Sequence, residues 1–470
     1  MKRSILQEIA ANRSRYRSSE EHTAARLSSG SRHVPLVPFF ARPGLICELK
    51  RASPSRGRII GEQSLEEIFQ QYRRSGAHRF SVLTEREYFQ GNVSDLHALK
   101  QRSPQQAFLR KDFILTTEDI TESYLIGADA VLLIAELLDS SRLQQLTSAA
   151  HALGLQVLTE VHDISLIPAL LDASAEAVPD AVGINSRDLR DFSVNTAVPF
   201  AAAGRYAQRI PLVFESGVHE TETVYHAANS GFHGVLMGEI CMRYPESLAD
   251  FIEAFSRGAD EAPGLFSRLI QSYRGRPLVK ICGITSVEDA RHSVQLGADV
   301  IGCIIAASPR SIPLERIGDF RGTGAPVCAV TADPDEQTLK ALEAALDRED
   351  IQGVQFHGNE PAEMLRRFGG KACKAVIHRN SGDLRHSYGP FVLYDLPKGE
   401  KHQELTRLSY REQLRRRFIA GNIRPDNLEE ILEVFDPMLI DVASGVESSP
   451  GVKDLSKLET VFTILERYYE

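Results

Sequence analysis

Short apolar runs recur along this chain, separated by helix-length segments of mixed charge. In the first half they fall at residues 45–49, 80–83, 107–109, 130–134, 156–159, 181–184, 211–214 and 234–237. Each run is short and turn-bounded, so each reads as a strand. Strands alternating with helices pair in parallel through crossover helices, and eight such units are what a closed (β/α)8 barrel needs. After a polar stretch punctuated by Gly and Pro the pattern restarts. Runs at 278–285, 300–305, 327–330, 353–356, 372–377, 391–394, 418–420 and 438–442 again number eight. The expected fold is therefore α/β, with two TIM (β/α)8 barrels in tandem. One open, doubly wound sheet per half would use the same local pattern and stands as the alternative.

The expected boundaries are a first barrel over 1–255, a linker over 256–277 and a second barrel over 278–470. Residues 1–42 precede the first strand. Within them, Ile5, Ile9 and Ala10 share one face of a helical stretch at 4–12, an extension placed to cap one end of the first barrel.

Composition narrows the function classes. With 470 residues, 43% hydrophobic and 25% charged, the chain has ample apolar surface for two cores. The charged N-terminus lacks a secretory apolar region, and no run approaches the ~18 apolar residues of a membrane span, so a cytoplasmic protein without membrane contact is expected. Six cysteines without a C-x-x-C pair speak against a zinc site or a disulfide framework. A formal charge of −9 disfavours a nucleic-acid partner. Local basic clusters, Lys50 with Arg51, Arg56 and Arg58, and Arg110 with Lys111, suit small anionic ligands.

Strand alternation then places candidate chemistry. Ile46, Glu48 and Lys50 share one strand face, which in a closed barrel looks inward and brings Lys50 to the C-terminal mouth where barrel active sites are built. An ion pair on a half-exposed strand is the bland alternative. Other predicted strands also end in polar groups: Lys111, Glu160, Asn185 with Arg187, and Glu215 with Ser216. Gly217 and Gly238 follow the seventh and eighth strands, where barrels commonly hold phosphate on backbone N–H groups. In the second half, Lys280 and Cys282 lie on one strand face.

These residues carry a resemblance. E-x-K-x-x-S-P-S (Glu48 to Ser55), S-V-L-T-E with Y-F-x-G (Ser81 to Gly91), K-D-F (Lys111 to Phe113), T-E-V-H (Thr159 to His162), G-I-N-S-R-D-L (Gly183 to Leu189) and E-S-G-V (Glu215 to Val218) resemble indole-3-glycerol phosphate synthase. The resemblance implies closure of carboxyphenylamino-deoxyribulose phosphate to indole-3-glycerol phosphate, with loss of carbon dioxide and water and without metal or cofactor. It implies Lys111 as general acid and Glu160 as its acid/base partner. Lys50 would hold the substrate carboxylate, and Glu48 would fix that ammonium. Asn185 and Glu215 would bind the sugar hydroxyls. Ser53, Phe89, Arg187, Ser216, Gly217 and Gly238 complete the substrate contacts.

The second half is similar to phosphoribosylanthranilate isomerase through K-I-C-G-I-T (Lys280 to Thr285), E-D-A (Glu288 to Ala290), G-A-D-V-I-G (Gly297 to Gly302), S-P-R (Ser308 to Arg310), V-Q-F-H-G (Val354 to Gly358) and D-V-A-S-G-V-E-S-S-P-G-V-K-D (Asp441 to Asp454). That likeness implies an Amadori rearrangement yielding the synthase's substrate. Asp395 would be its general acid and Cys282 its base, a thiolate whose pKa must be lowered by nearby dipoles or cations. Arg310 would fork onto the anthranilate carboxylate, Asp441 would touch the ribose, and Gly421, Ser444 and Gly445 would cradle phosphate. The family's glycine loop is replaced by Gln403–Thr406, and Asn422 replaces a second glycine. The resulting expectation is a bifunctional tryptophan-biosynthesis enzyme, a monomer acting on small phosphorylated anthranilate-derived substrates. Its alternative is an active synthase with a weakened, mainly structural isomerase-like barrel. His162, His219 and His357 show no ligand spacing and read as bland.

Overall fold

The computed structural model describes residues 30–53, 57–59, 63–187, 194–377, 389–396 and 414–469. The helical stretch expected at 4–12 and the altered loop at 403–406 lie outside the described residues. The chain divides into two compact units, Met1–Asp260 and Glu261–Glu470.

In the first unit the barrel strands are β1 (Gly44–Leu49), β2 (Arg79–Leu83), β3 (Ala107–Lys111), β4 (Ala130–Ile134), β5 (Gln156–Val161), β6 (Ala181–Asn185), β7 (Leu212–Glu215) and β8 (Gly234–Met237). Every neighbour pairs in parallel, and β1 pairs with both β2 and β8, which closes the sheet. In the second unit β9 (Leu278–Cys282), β10 (Val300–Ile304), β11 (Val327–Thr331), β12 (Gly353–Phe356), β13 (Ala372–Ile377), β14 (Val392–Asp395), β15 (Phe418–Ala420) and β16 (Leu439–Val442) close likewise through β9 and β16. Closure excludes the open-sheet alternative.

Each strand of the first barrel buries both faces, one against the helices and one inside. The inward residues form a lower apolar layer that includes Ile46, Leu109, Leu132, Leu158, Val213 and Leu236, floored by Phe39 and Phe40. The next inward position toward the C-terminal end is polar on β1, β3, β5, β6 and β7: Glu48, Lys111, Glu160, Asn185 and Glu215. Two residues of strand thus separate the packed floor from the charged mouth. The floor is pinned at the N-terminal end of the barrel, where Gln156 Oε1 accepts the backbone N–H groups of Phe39 and Phe40, and Arg32 pairs with buried Asp129 at 2.9 Å.

Residues 256–277 are more ordered than their polar composition suggests. They complete the helix Leu248–Asp260 and form a second one, Leu265–Ser272, whose Leu265, Phe266, Leu269 and Ile270 are buried. That apolar spacing makes one helical stripe. Phe266 lies 6.1 and 6.3 Å from the rings of Phe391 and Phe418, at the N-terminal ends of β14 and β15, so this helix covers the bottom of the second barrel.

Candidate active sites

At the first mouth the Lys50 ammonium lies 2.5 Å from Glu48 Oε1, with Glu48 buried and Lys50 only partly exposed. The pair faces the cavity and not bulk solvent. Its space is made by Gly238, where a Cβ would fall 2.4 Å from Glu48 Oε1 and 2.8 Å from Lys50 Nζ. Gly238 therefore serves this pair as well as the loop after β8.

Across the mouth, Lys111 Nζ donates to Glu160 Oε2 and to Glu215 Oε2, each at 3.0 Å. Asn185 Nδ2 donates to the other oxygen of Glu160 at 3.0 Å, while its Oδ1 accepts the backbone N–H of Arg187. The register explains the convergence: Glu160 stands beside Gly183, and Asn185 beside Glu215. Glu48, Lys50, Phe89, Lys111, Glu160, Asn185, Arg187, Glu215, Ser216, Gly217 and Gly238 line one cavity. Ser53 contributes backbone to a short hairpin with Gly57, while its side chain lies outside the described residues.

Electrostatics set the two carboxylates apart. Burial pushes Glu215 well up; Lys111 opposes this and the charge of Glu160 adds to it. Burial acts on Glu160 in the same direction, but Lys111, His162 and Asn185 outweigh it and hold the group below the usual carboxylate range. Burial opposes the charge on Lys111, yet Glu160, Glu215 and Glu48 raise its pKa above the ordinary lysine value. At neutral pH the triad thus holds an ammonium, one ionised carboxylate and one carboxyl biased toward its protonated form, an arrangement suited to giving and taking protons.

Loop geometry completes the mouth. Ser216 and Gly217 both take left-handed backbone, at φ 67° and 73°, and the Ser186 hydroxyl donates to the carbonyl of Ser216. Phe89 sits in a loop organised by Glu85, whose buried carboxylate accepts the N–H groups of Glu87, Tyr88 and Phe89 at 2.8, 2.8 and 3.0 Å. Arg110 does not join the mouth. Strand alternation turns it outward, where it is fully buried and pairs with Asp112 at 3.0 Å and Glu122 at 2.7 Å.

In the second unit the Lys280 ammonium lies 2.6 Å from Asp441 Oδ2, a pair bridging the adjacent strands β9 and β16. Cys282 ends β9 and is buried. The expected lowering of its pKa is not found: burial raises it, the Asp441 charge adds to that, and Lys280 and Lys453 only partly offset them. Arg310 already forks onto a carboxylate of the chain, donating through Nε to Glu447 at 2.9 Å, with Nη2 2.8 Å away from the second oxygen. Lys453 links Glu447 at 3.1 Å to the carbonyl of Cys282 at 2.7 Å. Asp395 ends β14, and His357 Nε2 lies 3.2 Å from its Oδ2.

Glycines again clear the way. A Cβ at Gly421 would fall 2.6 Å from Asp395 Oδ1, one at Gly302 would meet Cys282 Sγ at 2.9 Å, and one at Gly445 would strike the Ile423 carbonyl at 1.9 Å. Ser444 and Gly445 open a single 3-10 turn after β16. Asn422 takes φ 51°, the left-handed region its short amide side chain tolerates.

Comparison with known proteins gives a family match in each half of the chain. The family model of indole-3-glycerol phosphate synthase matches residues 3–255. The chain belongs to that family. The model of N-(5'-phosphoribosyl)anthranilate isomerase matches residues 279–463, so domains of the two families stand in tandem. The indole-3-glycerol phosphate synthase of Bacteroides thetaiotaomicron is 36% identical over 53% of this chain and 98% of its own length. A multifunctional tryptophan biosynthesis protein of Schizosaccharomyces pombe is 28% identical over 90% of this chain and 60% of its own, so this chain spans about three-fifths of that relative. The crystal structure of a phosphoribosylanthranilate isomerase from Thermus thermophilus aligns with 41% of this chain and 99% of its own at 30% identity, TM-score 0.36.

Proposed function

We propose that the chain catalyses two consecutive steps of tryptophan biosynthesis. The second barrel isomerises N-(5-phosphoribosyl)anthranilate to carboxyphenylamino-deoxyribulose phosphate, and the first converts that product to indole-3-glycerol phosphate. The observation that carries the synthase reading is the contact of one ammonium, Lys111, with two carboxyl groups at 3.0 Å, opposite a second ammonium, Lys50.

On this reading Lys50 holds the anthranilate carboxylate, and Phe89 packs on the aromatic ring. Lys111 protonates the carbonyl oxygen as the ring carbon attacks it. Carbon dioxide then leaves, and its bonding pair neutralises the iminium formed on cyclisation, so no external electron sink is needed. Lys111, reprotonated from water at the mouth, next protonates the departing hydroxyl while Glu160 removes a proton from the newly closed ring. Ser216, Gly217 and Gly238 offer backbone N–H groups to the phosphate, with Arg187 beside them. In the second barrel Asp395 opens the ribose and Cys282 takes the C2 proton, while Arg310 exchanges Glu447 for the substrate carboxylate. Asp441 approaches the ribose, and Gly421, Ser444 and Gly445 hold the phosphate. Supplying phosphoribosylanthranilate to the full chain and following both products is the test. Formation of indole-3-glycerol phosphate through the carboxyphenylamino intermediate supports the reading, and failure to consume either compound ends it.

A second reading, an active synthase with a weakened isomerase, draws on the upward shift of Cys282 and on the engagement of Arg310 by Glu447. It predicts a fast second step fed by a slow first one. On either reading the enzyme acts as a cytoplasmic monomer on small substrates; among the described residues no helix is long and apolar enough to cross a membrane.

A further inference from the structure

His162 was bland as sequence, yet it stands directly behind the synthase site. It follows Glu160 by two residues at the end of β5, and its Nε2 lies 3.6 Å from Glu160 Oε1. Its Nδ1 lies 3.4 Å from Glu136 Oε2, in the loop after β4. The other oxygen of Glu136 accepts the backbone N–H groups of His162 and Asp163 at 2.6 and 3.1 Å, which fixes the carboxylate in place. Among the described residues His162 Nε2 is buried and has no hydrogen-bond partner. The histidine side chain as a whole is 15% exposed and that of Glu136 25%, against 6% for Glu160. The row Glu160, His162, Glu136 therefore runs from the enclosed reaction site outward to water.

We propose that His162 is a positioning and proton-conducting residue that returns Glu160 to its ionised form after each turnover. This rests on Glu160 being the base of the synthase step. With Nδ1–H directed at Glu136, the neutral ring presents the Nε2 lone pair to Glu160. When Glu160 has taken a proton from the substrate, that proton passes to Nε2. The resulting imidazolium then releases one proton to Glu136 or water, so Glu160 sheds one proton for each it takes, Lys111 regains from water at the mouth the two it donates, and no electrons move. The charged groups acting on the ring are Glu136, Glu160 and, further into the mouth, Glu215. Burial lowers the imidazole pKa, but the hydrogen bond to Glu136 and the charges of Glu160, Glu136 and Glu215 raise it overall. That keeps the ring able to load and unload near neutral pH.

The test is the pH profile and buffer dependence of indole-3-glycerol phosphate formation by the full chain, starting from the carboxyphenylamino substrate. His162→Gln is expected to lower kcat by roughly 10²-fold with KM little changed, and added imidazole should restore much of the loss. Glu136→Gln should show a smaller loss with the same rescue. A kcat that stays at the wild-type value, or a loss that imidazole does not reverse, overturns the proposal. Glu160→Gln separates it from the underlying reading: that variant should be inactive with or without imidazole. Activity in Glu160→Gln would remove both the reading and the relay built on it.

Discussion

A side chain at Gly183 would place its Cβ 2.0 Å from Oε1 of Glu215, the carboxyl that shares Lys111 with Glu160. The glycine lies on β6, next to the strand that carries Glu215, so the acid occupies volume that any other residue would fill. Gly183→Ala is expected to push Glu215 off Lys111, at a cost of roughly 1–3 kcal/mol in stability from overpacking. Synthase turnover should fall while isomerase turnover is unchanged. Separate assays of the two half-reactions, with a thermal melt, check this.

The two carboxyl groups should respond differently to amidation. Glu215 is biased toward its protonated form, which glutamine resembles, whereas Glu160 is held ionised. Glu215→Gln should therefore retain far more synthase activity than Glu160→Gln. The stability consequence has a definite sign. A carboxyl with a raised pKa in the folded state binds more protons folded than unfolded, so its contribution declines as pH rises from the ordinary carboxylate range toward the raised value. Over that interval Glu215→Gln should be more stable than wild type, with the gap widening as pH increases. Melts at several pH values read it directly.

In the second barrel the cations beside Cys282 oppose burial. Removing Lys280, which also pairs with Asp441, should raise the thiol pKa further. Lys280→Met is then expected to slow alkylation of Cys282 at fixed pH and to move its onset to higher pH. The remaining five cysteines are buried and serve as the background, subtracted with Cys282→Ala.

Much of this arrangement was legible in the chain. Fifteen of the sixteen barrel strands lie within one or two residues of their apolar runs, and the run at 278–285 overshoots β9 by three, because parallel strands buried on both faces leave little else for those residues to do. Period-two alternation points Glu48 and Lys50 to one face, and the strand ends carry Lys111, Glu160, Asn185 and Glu215; all six line one cavity. The same alternation turns Arg110 away from Lys111, its neighbour in sequence, and into buried pairs with Asp112 and Glu122. Contacts across the barrel were not legible: Lys111 and Glu215 are 104 residues apart, and their pairing depends on register. Spacing does not single out His162 or His357, because their partners are distant in sequence: Glu136 in the loop after β4 and Asp395 at the end of β14. The Cys282 pKa depends on how deeply the thiol sits and on Asp441, neither of which spacing reveals. The helix at Leu265–Ser272 was hidden by the polar residues around its narrow apolar stripe.

The most direct measurement is the fate of carboxyphenylamino-deoxyribulose phosphate when Lys111 is truncated to alanine. If Lys111 is the proton donor gripped by Glu160 and Glu215, synthase kcat falls roughly 10²–10⁴-fold. The intermediate then accumulates when the variant is fed phosphoribosylanthranilate, with the isomerase step untouched. Indole-3-glycerol phosphate appearing at close to the wild-type rate would contradict the account.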